Sequence, residues 1–142
     1  MNRDDYRQLV RIQLIVTQPA SHAQHPLVSV YIPTKNRADL LERALSSVLA
    51  QTYPNIEILI CDDNSSDDTA QRVAAWQKQH ANILYIHSDE DIGACRARNK
   101  AIKAASGEFI TGMDDDDAFT PDRLATFVQR FDDSCNFLFS QR

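Results

Sequence analysis

At 142 residues and 16.1 kDa the chain has room for one domain with a real core, 43% of it apolar and 25% charged. Fifteen Lys and Arg against twenty Asp and Glu leave a net charge of −5, which argues against a nucleic-acid binder held by a basic face. No apolar run approaches the roughly 18 residues that span a bilayer, and three cysteines without a CxxC pair fit free thiols in a reducing, cytoplasmic compartment.

Residues 1–26 read as an N-terminal extension and linker, ending in a stretch with two prolines and two histidines. Its apolar part, Leu9–Val16, is broken by Arg11 and Gln13 and makes a poor signal peptide. From Leu27 a regular alternation begins. Leu27–Ile32 is a β-branched run closed by Pro33, which has no amide to donate in a central strand. Asn36 is placed to cap a helix, with Asp39 three residues on, and Leu41, Ala44, Leu45, Val48 and Leu49 recur at helical spacing until Tyr53-Pro54-Asn55. Ile56–Cys61 is apolar at nearly every position, as a strand covered on both faces should be. A helix from about Asp67 to His80 follows, with Ser66 or Asp67 as its cap, then a strand at Ile83–His87. Gly93–Ala105 reads as an Ala-rich helix and Glu108–Met113 as a strand. Thr120-Pro121 supplies an N-cap and a first-turn proline for a helix carrying Leu124, Phe127, Val128 and Phe131. Asn136–Ser140 reads as one more strand. Strand starts spaced 25 to 29 residues apart match βαβ units, so the expected class is α/β with a mainly parallel sheet.

The acids are unevenly chosen: sixteen Asp and four Glu, with eight of the Asp at 62–68 and 114–117. In a parallel sheet, ligands collect beyond the carboxyl ends of the strands. Pro33–Arg37, Asp62–Asp68 and Asp114–Asp117 would all lie there. Four consecutive Asp repel one another, and a hard divalent cation such as Mg²⁺ or Mn²⁺, completed by water and phosphate oxygens, relieves that repulsion. A solvated acidic turn is the competing account of the same run. An EF-hand is excluded, because Asp67 stands where its Gly is required and Val73 where its closing Glu belongs. Glycine occurs only at 93, 107 and 112, so neither GxGxxG nor a P-loop can be written. The basic residues Arg96, Arg98, Lys100 and Lys103 open the helix after Gly93 and could face either solvent or a diphosphate.

Taken together, residues 27–131 resemble the nucleotide-binding half of a family 2 glycosyltransferase of the Rossmann-like GT-A fold. Val28–Asn36 is similar to that family's opening VSVIIPTYN, with Lys35 in place of the usual Tyr. Ser46–Ile58 resembles its next segment, and Cys61–Thr69 resembles VDDGSTDGT. Gly93 and Ala97-Arg98-Asn99 look like its G…ARN helix, and Gly107–Asp117 looks like the strand that carries its DxD motif. The resemblance implies an inverting transferase that binds a nucleotide-diphospho-sugar, most often UDP-linked, with Mn²⁺ or Mg²⁺. It places Pro33, Thr34 and Asn36 in the nucleotide pocket, with Pro33 against the base. Asp63, with Asp62 beside it, would face the base or ribose, and Arg98 would reach the nucleotide side. Asp114 and Asp115 would approach the ribose or a metal-bound water, and Asp116 would ligate the metal with Asp114. Both Asp114/Asp116 and Asp115/Asp117 spell DxD, so the register stays open. The acceptor would be a saccharide, lipid or other hydroxyl compound, and no nucleic acid is expected. The family's catalytic base comes from the half of the domain after the DxD strand. Residues 27–142 are therefore expected to be an incomplete domain with no nameable base, since Asp132 and Asp133 read as a helix end. The alternative is a nucleotide- or metal-binding module without transferase activity of its own. Location in the cytoplasm, or at the inner membrane face through a partner or missing segment, is expected. So is cover for the exposed sheet edge, from residues 1–26 or a second copy in a homodimer.

Overall fold

The structure, a computed structural model, describes residues 25–131. Four parallel strands form one sheet in the order β3-β2-β1-β4, where β1 is Val28–Thr34, β2 Ile56–Asp62, β3 Ile83–His87 and β4 Phe109–Gly112. Helices α1 (Ala38–Leu49), α2 (Thr69–Gln79) and α3 (Ala94–Ala104) make the crossovers, and α4 (Arg123–Arg130) follows β4. The first two crossovers step from β1 outward to β3. The third returns across the sheet to β4, so the strand order reverses between β1 and β4. That reversal is where an open α/β sheet offers a crevice.

Alternation of side chains across each strand divides the core. On one face Val28, Val30, Ile32, Ile58 and Ile60 pack with Leu41, Leu45 and Val48 of α1, Val73 of α2 and Leu124 of α4. On the other, Leu59 and Cys61 pack with Ala97 and Ala101 of α3. Cys61 is a free thiol, pushed up to about 12 by burial, and Cys95 is free and exposed. The small alanines let α3 lie close over the central strands.

Four local expectations are corrected. Strand β1 does not stop before Pro33 but runs through it to Thr34. The Leu27 and Tyr31 carbonyls accept from β4-side amides of Phe109 and Met113, while Val28 donates to Asn55 and Thr34 accepts from Asp63 on the β2 side. The missing Pro33 amide therefore falls on the β4 side, just past the end of that ladder, where nothing asks for it. Asn36 does not cap α1. It takes the left-handed conformation at φ 52°, and the amide that opens the helix, Ala38 N, donates instead to Asp67 Oδ2 at 3.2 Å from the neighbouring loop. Thr120-Pro121 does not open α4, which starts at Arg123 after Asp122. The Thr120 and Pro121 carbonyls accept from Gln51 Nε2 and Thr52 N, and Gln51 Oε1 accepts from Leu124 N at 3.1 Å. Thr120 and Pro121 thus build a turn docked on the end of α1, and a glutamine from that end caps α4. The cap position of α2 is Asp68 rather than Ser66 or Asp67, and Asp67, one residue earlier, supports the helix start through Oδ1, which accepts from the Thr69 amide and hydroxyl. Apart from His25 and Pro26, the extension over 1–26 lies outside the described residues, as do Asp132, Asp133, Cys135 and the strand expected at 136–140.

Candidate functional site

Beyond the carboxyl ends of β1, β2 and β4, a cleft of about 430 Å³ opens between the loops and the first turns of α3. The β1 loop contributes Pro33, Thr34, Lys35 and Arg37, and β2 is followed by Asp63. The β4 loop contributes Asp114, Asp115 and Asp116, and Arg98 reaches in from α3. Ala94 and Ala97 line the α3 side, and their small side chains keep the space open.

The acidic run alternates. Asp115 is buried, accepting from the Thr34 hydroxyl at 2.8 Å and from Arg37 at 3.1 Å. These bonds span the reversal point and tie the β1 and β4 loops together. Asp114 and Asp116 flank it with side chains 54% and 58% exposed, Asp114 in an ion pair with Arg98 at 2.5 Å. Arg43 of α1 holds the Asp116 main-chain carbonyl, and Arg37 lies 3.8 Å from its carboxylate. Of the two DxD registers, Asp114/Asp116 turns both of its carboxylates to the cleft. In the other, Asp115 is committed to the protein, and Asp117 is not among the cleft-lining residues.

Asp63 is also buried, and its carboxylate accepts from Ile92 N at 2.7 Å and Gly93 N at 3.0 Å, receiving the amides at the start of α3. Gly93 takes φ +79°, which an L side chain rarely adopts, so glycine suits this bend into the helix. Lys35 pairs with Asp91 at 2.7 Å, and Asn64 donates to the same carboxylate at 3.1 Å. The Asp91 bond raises the Lys35 ammonium above its ordinary range, and Lys35 in turn pulls the Asp91 carboxyl down.

Two residues expected in the pocket lie outside it. Asp62 is fully buried below the cleft, where it accepts from Ser65 N and the Tyr85 hydroxyl and lies 3.2 Å from His87 Nδ1. Asn36 faces away and accepts from Ser66 N at 2.7 Å, joining the β1 and β2 loops. Pro33, Thr34, Asp63, Arg98, Asp114, Asp115 and Asp116 do converge. Lys35 and Arg37, from the polar run after β1, join them in lining the cleft.

Among the described residues no three His, Cys, Asp or Glu side chains converge as a ready metal cage. The cleft offers two half-exposed carboxylates, Asp114 and Asp116, which suits Mg²⁺ or Mn²⁺, ions that commonly fill out their shell with phosphate and water. Four carboxylates against three basic side chains in the cleft admit an anionic ligand when a cation accompanies it.

The chain is 47% identical over 104 residues to a glycosyl transferase named for colanic acid biosynthesis in Escherichia coli strain K12, a match covering 73% of this chain and 37% of that protein. Among solved structures, the mannosyltransferase PcManGT of Pyrobaculum calidifontis, in complex with GDP-Man and Mn²⁺, superposes with a TM-score of 0.69 at 28% identity, over 87% of this chain and 37% of that one. Residues 1–349 of Staphylococcus aureus TarS, in complex with UDP-GlcNAc, give 0.66 at 30% identity, over 72% and 31%. The chain thus spans roughly a third of the length of each of these proteins. The shared architecture is the helix-flanked parallel sheet of the GT-A fold. No helix among the described residues is long and apolar enough to cross a membrane. Together with the match of residues 29–142 to the profile described as Glycosyl transferase family 2, these likenesses make the chain a member of that family.

Proposed function

We propose that this chain holds the nucleoside-diphosphate part of a sugar donor, with UDP the preferred carrier, and presents the sugar to a hydroxyl group of a saccharide, lipid or other acceptor. The observation that carries the reading is the arrangement of one cleft, with Asp114, Asp116 and Arg98 on the β4 side and Asp63 on the β2 side. Sugar transfer breaks the bond between the anomeric carbon and a diphosphate oxygen, so negative charge gathers on the departing diphosphate. Arg98 and Arg37 lie where they can meet that charge, and each would exchange part of its bonding to Asp114 or Asp115 for phosphate oxygens. Pro33 offers the base an apolar surface, and Asp63 has spare acceptor capacity for a base or ribose donor. Thr34 and Asp115 keep the two rims in register. Mg²⁺ or Mn²⁺, when bound by Asp114 and Asp116, would supply further neutralisation of the diphosphate. We read the reaction as inverting, a single displacement in which a general base takes the acceptor proton. Free Cys61 and Cys95 suit work in a reducing cytoplasm or at the inner membrane face.

The test is calorimetric titration of UDP and of GDP into the chain, with Mn²⁺, without it, and with Asp116→Ala. Binding that needs the metal and weakens at least about ten-fold in the variant, while the melting temperature holds, is the expected result. Equal binding in all three arms, or none in any, overturns the reading.

A further inference from the structure

The basic run of α3 is only partly used by the cleft. Arg98 lines it, whereas Arg96, Lys100 and Lys103 recur at i, i+4 and i+7 and share another side of the helix, all three exposed. They cover about 10 Å of helix axis. The helix, Ala94–Ala104, carries four basic residues and no acidic one. Elsewhere Lys35, Arg37 and Arg72 are each paired with an acid, as Arg98 is with Asp114. Arg96 and Lys103 have no such partner among the described residues. Lys100 gives one N–H to the Ser88 hydroxyl at 2.9 Å and keeps two.

Ser88 follows β3, so its bond to Lys100 shows that this flank of the helix leans toward the β3 side. α3 lies over β1 and β2 rather than over β3. Leu84 of β3 stands in register with Leu59 and therefore points to the face that α3 covers, yet it is 43% exposed. Because the strands are parallel, α3 runs back from their carboxyl ends toward their starts, which brings Lys103 to the end of the sheet where Leu84 stands. The nearest acids in sequence are Asp89, Glu90 and Asp91 ahead of the helix, of which Asp91 is held by Lys35, and Glu108 behind it on the β4 side.

Three cations beside an exposed aliphatic side chain make a positive surface on a chain whose net charge is −5. Single-stranded nucleic acid is gripped by aromatic side chains set among cations, whereas the apolar member here is a leucine. Anionic lipid asks for what is present: long cationic side chains for the headgroup phosphates and an aliphatic group for the acyl boundary.

We propose that the flank of α3 formed by Arg96, Lys100 and Lys103, with Leu84 of β3 beside it, docks on an anionic lipid surface. The same helix walls the cleft with Ala94, Ala97 and Arg98, so a bilayer held along it lies next to the cleft. Docking of this kind needs no nucleotide and stands apart from the donor reading.

The experiment is flotation of the full chain, without nucleotide, on vesicles of phosphatidylcholine alone or with about a third phosphatidylglycerol. A cation near an anionic surface is worth roughly five-fold in affinity. The wild type should prefer the anionic vesicles by at least about ten-fold and lose most of that preference at high salt. Arg96→Gln with Lys103→Gln should weaken binding about twenty-fold, and Leu84→Ser about three-fold. The matched pair Lys78→Gln with Arg130→Gln removes the same charge from exposed positions on α2 and α4 and should weaken it less than about three-fold. Melting temperatures should hold throughout, since every exchanged side chain is exposed. A wild type that ignores anionic vesicles, or binds both compositions alike, overturns the proposal. So does an α3 pair or a Leu84→Ser chain that binds like the wild type, or a matched pair that weakens binding as much as the α3 pair. A wild type that leaves vesicles alone but retains single-stranded RNA through Arg96 and Lys103 would assign the flank to nucleic acid and overturn it too. None of these outcomes bears on metal-dependent nucleotide binding, by which the donor reading is judged separately.

Discussion

Asp115→Ala is expected to destabilise the folded chain at the rim of the cleft, with or without a ligand. The Asp115 carboxylate is buried and takes the hydroxyl of Thr34, itself only 4% exposed, at 2.8 Å. A hydrogen bond to a charged group is worth about 1.5–3 kcal/mol, and its loss leaves a buried hydroxyl without this acceptor. The Arg37 contact adds at most about 1 kcal/mol, because that side chain is 53% exposed. The variant should therefore lose about 2–4 kcal/mol, read as a lower urea midpoint with unchanged slope. At roughly 3–5 °C per kcal/mol for a chain of this size, its melting temperature falls visibly. Asp115→Asn keeps an acceptor for Thr34 and should lose only about 1 kcal/mol. A cycle with Thr34→Val isolates the bond, with an expected coupling of about 1–2 kcal/mol. Asp116→Ala, by contrast, should change stability by less than about 0.5 kcal/mol, since its side chain is mostly in solvent. Strictly additive Asp115 and Thr34 costs, or an Asp115→Ala protein as stable as the wild type, would refute this division of the acidic run into a holder and its neighbours.

Gly107→Ala should cost about 2–3 kcal/mol by urea denaturation, because the added Cβ would lie 2.7 Å from Ser29 N and 2.8 Å from Leu27 O, main-chain atoms of or next to β1 that have nowhere to go. A loss below about 0.5 kcal/mol would mean the β1–β4 seam is softer than it looks. Acid should act in part through Asp67: burial alone would raise its carboxyl, but bonds from Thr69 and Ala38 outweigh burial and hold it below the ordinary value. A depressed carboxyl stabilises the fold above the unfolded value, about 3.9, and that contribution drains away as pH falls through the folded value. The stability gap between wild type and Asp67→Asn should accordingly be flat above about pH 5 and shrink below it. An equal gap at pH 7 and pH 3 would contradict this.

Much of this fold could be read from the residues in order. The apolar run Ile56–Cys61 and the stripe Leu41, Ala44, Leu45, Val48 mark β2 and α1 because burial on both faces of a strand, or one face of a helix, leaves a period. Helix starts were harder to read, since the groups that satisfy them come from elsewhere in the chain. Asp67 serves α1, Gln51 serves α4 and Asp63 serves α3, each across a gap that no local motif records. The same gap hides which acids face the cleft. Asp62 and Asp63 are neighbours, yet one is spent on Tyr85 and His87 beneath the sheet end and the other lines the cleft. In the run of four, Asp115 turns inward because Thr34 and Arg37 await it. Adjacent identical residues carry no sign of such a choice.

The placement of the cleft over the two central strands has a dynamic consequence. β1 and β2 are hydrogen-bonded on both sides and almost wholly buried, so their amides should exchange with deuterium only through near-global opening. The loops at 88–93 and 113–120 follow the outer strands of the described sheet and are fastened in part by side chains such as Asp63, Arg43 and Thr34. They can loosen one at a time. A ligand entering between them meets a stiff floor and compliant walls, so its arrival should slow exchange in those loops while leaving the β1 and β2 amides as they were.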